Sequence, residues 1–171
     1  DFSSSAGNVI VAVAVSGVMY THPDLINYMW DGSDCVDENG DGIFGGCDNY
    51  GWDFVNGDEN PADDNGHGTM VSGIIGAQGN NGRGIAGVSH DVQIMALKVA
   101  DSQGVVYLSS WLNAINFAKN NGAQIINASF TSYEYSLLEE EALRDFPGLV
   151  IAAAGNDGGN NDESPVYPAA Y

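Results

Sequence analysis

The sequence predicts an α/β domain built on a mostly parallel sheet, and three observations carry that expectation. Val9 to Val15, a continuous apolar run rich in β-branched residues, and the segments Gln93 to Val99, Ala123 to Phe130 and Leu149 to Ala154 read as parallel strands. Stretches with helical spacing of apolar residues lie between them, so strand and helix alternate. The intervals are filled with glycine, asparagine and aspartate, with no internal repeat, low-complexity tract or linker, so the chain reads as a single domain. In sheets of this kind ligands bind beyond the carboxyl ends of the strands, which is where the informative motifs fall.

Taken in order, Asp1 to Asn8 is a small polar lead-in, and Val9 to Val15 is closed by Ser16-Gly17. Asp31 to Asp64 is a long polar loop region anchored by Trp52, Phe54 and Val55. A short helix then opens at Asn65-Gly66-His67-Gly68-Thr69, with Met70, Val71, Ile74 and Ile75 forming its expected apolar face. His67 sits in the first turn, Gly66 and Gly68 leave room for close approach, and Asp63 and Asp64 put negative charge at the positive end of the helix dipole. After a glycine-asparagine loop, Gly79 to Gly87, comes the second apolar run. Leu108, Trp111, Leu112, Ile115 and Ala118 then predict a helix through Lys119, stopped by Gly122. Ser136 with Glu139 three residues on predicts a capping box opening an acidic helix to Phe146.

Composition narrows the function classes. The 171 residues are 44% hydrophobic and 16% charged, enough for one core. Twenty-three acidic residues against 4 basic ones give a net charge of -19, which argues against nucleic acid or an anionic membrane as partner and suits solubility and cations. No apolar run is long enough to span a bilayer, and no charged region precedes a short apolar core. The chain is therefore expected to begin after any signal or pro-segment. Asp37, Asn39 and Asp41 place oxygen side chains at positions 1, 3 and 5, with Gly42 at 6 and Asp48 at 12, the spacing of a calcium loop without flanking EF helices. A solvated, turn-rich loop is the alternative reading of the same residues.

A histidine at the mouth of a helix between two glycines admits two readings, a structural helix start or a catalytic imidazole. The surrounding residues resolve them by resemblance. NGHGTMVSG resembles the histidine motif NGHGTHVAG of the subtilisin-like serine proteases (subtilases). VIVAVAVSGVMYTHPDL resembles a strand that in the family reads VAVIDTGVDYTHPDL, and GNNGRGIAGVS, VQIMALKVAD, NAINFAKNNGAQIINASF and VIAAAGND follow as counterparts in order. The likeness runs from about Gly7 to Tyr171 and implies a three-layer subtilisin-like fold, incomplete at the C-terminus, and peptide-bond hydrolysis as the family activity.

The resemblance also assigns roles. His67 matches the general base and Asn156, after the last strand, the donor to the oxyanion of the tetrahedral intermediate, where a neutral amide suits as a fixed donor. Gly104, Val105 and Val106 match the edge that pairs with extended substrate; Ser129, Phe130 and Thr131 with Ala153, Ala154 and Gly155 match the walls of the primary specificity pocket. Asp24 and Asn81 match ligands of a structural calcium ion whose further ligand in relatives comes from an N-terminal arm. Cys35 and Cys47, the only cysteines, are expected to form a disulfide, given their even count, short spacing and the secreted character of the family; closing that loop would stabilise by roughly 3 kcal/mol.

The departures fall at the chemistry. Val15 stands where the family has the aspartate that orients the histidine, in a register fixed by Ser16-Gly17 and His22-Pro23-Asp24-Leu25, with Ala14 and Met19 also atypical. A sequence error or an engineered change is the alternative account of that valine. No Gly-Thr-Ser-Met nucleophile motif occurs in these residues, and Ser89, Ser129 and Ser164 stand in the wrong contexts. Thr131 and Val105 are bulkier than usual and would narrow the groove. The chain is therefore expected to be inactive as given. It is a partial catalytic domain whose serine comes from a complementing C-terminal segment, a calcium-stabilised non-catalytic pseudoprotease or peptide-binding module, or a gene fragment without independent function. A secreted location, peptide or protein as substrate or ligand, and dimerisation through an exposed sheet face complete the expectations.

Overall fold

In the computed structural model of the chain, residues 9–36, 47 and 50–171 are described. Its sheet has five strands: β1 (Val9–Val15), β2 (Gly51–Asp53), β3 (Val92–Lys98), β4 (Ile125–Ala128) and β5 (Leu149–Ala152). They lie in the order β2-β3-β1-β4-β5 and every pairing is parallel. The helices are α1 (His67–Gly76), α2 (Leu108–Asn120) and α3 (Leu137–Asp145), with one 3₁₀ turn at Ile26–Tyr28. The expected α/β architecture is thus present, with strand ends trimmed: the runs expected to Phe130 and Ala154 end at Ala128 and Ala152. β2 is an addition, three residues inside the region expected to be loop, paired with Ala96, Leu97 and Lys98.

β1 lies at the centre because its side chains are apolar on both faces, as a doubly covered strand requires. Ala12 and Ala14 join Met95, Leu97, Ile126, Trp111, Ile115 and Phe117 in the core under α2, with Phe146 beyond α3. Val11, Val13 and Val15 join Ile94, Ala96 and Val18 under α1.

α1 corrects an expectation. Its buried face is Gly68, Ser72 and Gly76, spaced at i, i+4 and i+8, while Met70 and Ile74 are exposed and only Val71 and Ile75 pack on the core. The cause is close approach: a Cβ on Gly68 would lie 2.0 Å from the Gly17 carbonyl oxygen, and one on Gly76 2.5 Å from Val92 Cγ2. Small residues, not large ones, define the contact because the helix backbone rests on the strands.

The two faces of the sheet are closed to different extents. α2 and α3 cover one face. On the other, α1 packs on β1 and β3, and over β4 and β5 nothing among the described residues covers Leu149 (58% exposed) or Ile151 (49%). The α3 start is also simpler than expected: the Ser136 side chain accepts from Glu139 N at 3.4 Å, but the Glu139 carboxylate does not return to Ser136 N, which donates to Tyr171 Oη at 2.9 Å. The disulfide is present, Cys35 to Cys47 with Cα atoms 5.9 Å apart, both residues buried.

Candidate active site

β1 ends at Val15 and α1 begins at His67, and a hydrogen-bonded hub ties the two together. Asp63, three residues before the left-handed N-cap Gly66 (φ 99°), accepts from the Ser16 hydroxyl at 2.9 Å on the strand side. On the helix side it accepts from Asn65 N (3.1 Å), Gly66 N (2.8 Å), Thr69 N (2.9 Å) and the Thr69 hydroxyl (2.5 Å). Burial alone would raise the Asp63 pKa, but the hydrogen bonds from the Thr69 hydroxyl and from the amides of Gly66, Thr69 and Asn65 outweigh it and hold the carboxyl below its ordinary value of 3.8. Ser16 Oγ in turn accepts from Gly68 N at 3.1 Å. The first turn of α1, and with it the backbone of His67, is therefore fixed by groups other than residue 15.

Val15 is 2% exposed and its side chain sits against that turn, with Cγ2 2.6 Å from where a Cβ on Gly68 would lie. It offers no acceptor to an imidazole. The fully buried Lys98, paired in register with Val15, donates to the carbonyls of Ser16 (2.8 Å) and Ala100 (3.0 Å) and to Asp64 Oδ1 (2.6 Å). Asp64 therefore serves the lysine, a partnership that the sequence reading missed although a lone lysine inside an apolar run was its signal.

His67 and Val15 open onto a cavity of about 830 Å³ whose wall also includes Gly104, Val105, Val106, Ser129, Phe130 and Thr131. Gly104 to Val106 forms a tight bend: Ala100 and Val106 make an antiparallel bridge, and Asp101 accepts from Gln103 N (2.9 Å) and Val105 N (3.0 Å). Ala153, Ala154, Gly155 and Asn156 follow β5, next to the strand end that leads into Ser129, since Ala128 and Ala152 are register partners and Ala153 N donates to Ala128 O at 3.0 Å. They leave the same edge of the sheet but are not part of the cavity wall. Sequence reading also missed Glu139, which lies on that wall, and its partners Trp111 and Tyr171.

Asp24 and Asn81 are hydrogen-bonded to each other: Asn81 Nδ2 donates to Asp24 Oδ1 at 2.6 Å, and the Asn81 oxygen accepts from Arg83 N at 2.9 Å. Asp24 is buried, and the loop closes over it so tightly that a Cβ on Gly84 would lie 1.8 Å from Asp24 Oδ2. Among the described residues no three His, Cys, Asp or Glu side chains are grouped to hold a metal ion. Asp37, Asn39, Asp41 and Asp48 lie outside the described residues.

A parallel α/β sheet with a histidine heading a helix at its carboxyl edge defines a class of enzyme-like scaffold, and comparison with known proteins identifies which. Residues 6–171 match the Subtilase family, and the chain belongs to that family. It is 34% identical to the Thermophilic serine proteinase of Bacillus sp. (strain AK1) over 174 residues, covering 100% of this chain and 38% of that protein. It is 33% identical to Thermitase of Thermoactinomyces vulgaris, covering 94% of this chain and 51% of that protein. The crystal structure of a cold-adapted subtilisin-like serine proteinase shares the fold with a TM-score of 0.71 at 23% identity, over 95% of this chain and 51% of that one. The chain thus spans about half or less of the length of the relatives it matches. Among the described residues no helix is long and apolar enough to cross a membrane.

Proposed function

We propose that this chain is a partial subtilase catalytic domain, secreted, that binds extended peptide in the groove beside His67 and does not itself hydrolyse it. The observation that carries the reading is the juxtaposition at one cavity of His67, Val15 and the two peptide-binding edges, Gly104 to Val106 and Ser129 to Thr131. His67 fills the general-base role and Asn156 the oxyanion donor, while the primary pocket takes Ala153, Ala154 and Gly155 as its second wall. Hydrolysis needs a hydroxyl nucleophile beside the imidazole and an acid that fixes its tautomer and stabilises the imidazolium. Val15 supplies no acid, and none of the serines in these residues stands in the nucleophile motif. In subtilisin, loss of the acid lowers kcat by about 3 × 10⁴ and loss of the serine by about 2 × 10⁶.

The alternative reading is a peptide-binding module that stays non-catalytic even when a nucleophile segment is supplied, whereas the partial domain becomes a peptidase once completed. One experiment separates the two. In a longer form that supplies a Gly-Thr-Ser segment, Val15→Asp is expected to raise kcat for a chromogenic peptide by several orders of magnitude, about the subtilisin value at most; no gain would leave the binding module. Robust turnover by the unmodified 171-residue chain, abolished by a serine-directed inhibitor, would overturn both.

A structural calcium ion belongs to this reading. The group at Asp24 offers a hard cation a buried carboxylate with no Lys or Arg partner among the described residues under a glycine loop that closes over it, and Asn81, whose amide nitrogen faces Asp24, would turn its oxygen to the ion. Asp24 and Asn81 would hold one ion, and Asp37, Asn39 and Asp41, which lie between the two cysteines in sequence, with Asp48 just beyond Cys47, a second. Calcium supplies charge neutralisation at these carboxylates. Chelator is expected to lower the thermal midpoint and to loosen residues 31–64 first, as followed by limited proteolysis; identical midpoints with and without chelator would remove calcium from the proposal.

A further inference from the structure

The wall of the cavity beside His67 contains a carboxylate, Glu139, that the peptide-binding reading leaves without a task. Glu139, 4% exposed, does not complete the helix cap its position predicts. Its carboxylate instead accepts from Trp111 Nε1 at 2.7 Å and from Tyr171 Oη at 2.8 Å. Both donors are neutral. Burial foremost, with the hydrogen bond to Glu139 adding to it, pushes the Tyr171 hydroxyl far above its ordinary pKa, so the tyrosine remains a donor.

The chain has four Lys and Arg residues, and the described ion pairs are Lys98 with Asp64, Lys119 with Asp145 and Arg144 with Glu140. The fourth, Arg83, lies in the loop of Gln78 to Ala86. None of the four is within ion-pair distance of Glu139. A carboxylate withdrawn from water is costly unless paired, and two neutral donors occupy only half of its acceptor sites. Glu134 adds a second carboxylate to the same wall, and Leu108, Trp111, Phe130 and Tyr135 supply apolar and aromatic surface. Trp111 and Phe130 are packed edge to face with centroids 5.1 Å apart. Aromatic rings beside an uncompensated carboxylate select a cation on an apolar stem: the carboxylate offers charge, the ring faces offer cation–π attraction and the stem buries apolar area.

We infer that this cavity takes a lysine or arginine side chain of the bound peptide, with Glu139 as the specificity-determining residue. The inference rests on the peptide-binding reading for the source of the side chain, and the cavity is tested separately from the peptide. The indole N–H of Trp111 reports directly on the Glu139 carboxylate, and its resonance is assigned by its loss in Trp111→Phe. On the unmodified chain, butylguanidinium is expected to shift that resonance with at least tenfold lower Kd than butylurea, its neutral counterpart of similar shape. Capped alanine hexapeptides carrying one arginine or lysine are expected to bind at least tenfold more tightly, at the best position, than those carrying norleucine. Glu139→Gln, checked for native circular dichroism, removes both preferences. Glu134→Gln, at an exposed position, reduces them less and serves if Glu139→Gln fails to fold.

Peptides that bind with no preference for a basic residue, while butylguanidinium and butylurea behave alike, would overturn the inference and leave peptide binding standing. Charge-selective binding of butylguanidinium without binding of any peptide would support the cationic site and overturn the peptide-binding reading. Failure of both probes would overturn both.

Discussion

The face of the sheet under α2 and α3 and the face under α1 are built from the same strands yet are finished differently. The first is a closed layer: Trp111, Ile115, Phe117 and Phe146 interlock over Ala12, Leu97 and Ile126, all buried. The second is closed by close backbone approach over β1 and β3 and then stops, leaving Leu149 and Ile151 exposed on β5; Met70 and Ile74 of α1 are exposed as well. The difference teaches that core packing and the positioning of His67 draw on separate halves. Volume packing holds the closed face, whereas hydrogen bonds to one carboxylate position the histidine on the other.

That division can be broken most forcefully at Trp111. Trp111→Ala empties the centre of the closed face and strands the Glu139 carboxylate, and it is expected to lower unfolding stability by about 3–5 kcal/mol in urea titration. A loss below about 1 kcal/mol would mean that the closed face does not carry the fold.

Asp63→Asn tests the other half and should cost less, about 1–3 kcal/mol, because it weakens hydrogen bonds at a half-buried site without opening a cavity. Its pH dependence has a defined sign. The folded pKa lies below the ordinary 3.8, so the stabilisation is present above pH 3.8 and is lost as pH falls through the lower folded value. Melts of the parent and of Asp63→Asn should therefore differ at neutral pH and converge on acidification; a constant gap would show that Asp63 does not act through its charge.

At the small end, Ile151→Thr on the uncovered half of the sheet is expected to change stability by less than about 0.5 kcal/mol. Light scattering would show whether the same change reduces self-association, the expected sign if copies meet through this surface. A large destabilisation would mean that the strand is covered after all.

The closed face was the more legible half in the sequence. β1 is readable because seven consecutive apolar residues admit little else, and α2 because Trp111, Ile115 and Ala118 keep the helical period. The α1 face was not, since periodicity counts large apolar residues and the contact there is made by Gly68, Ser72 and Gly76. β2 was hidden because three residues in a polar loop carry no pattern of their own and gain strand geometry only by pairing with β3. At the site, the motif resemblance named His67, Gly104 to Val106 and Ser129 to Thr131, which share one cavity wall. It could not show that Asp64 serves Lys98, or that Glu139 leaves its helix cap for Trp111, because each depends on residues brought together from 28 or more positions away.

The Asp63 hub has a consequence for how this site could change over generations. The pose of α1 is set by Ser16, Asp63 and Thr69, and residue 15 contributes only its bulk. Exchange of the side chain at position 15 is then a one-residue event on an otherwise finished frame, uncoupled from any need to rebuild the helix, and the frame itself is a neutral inheritance.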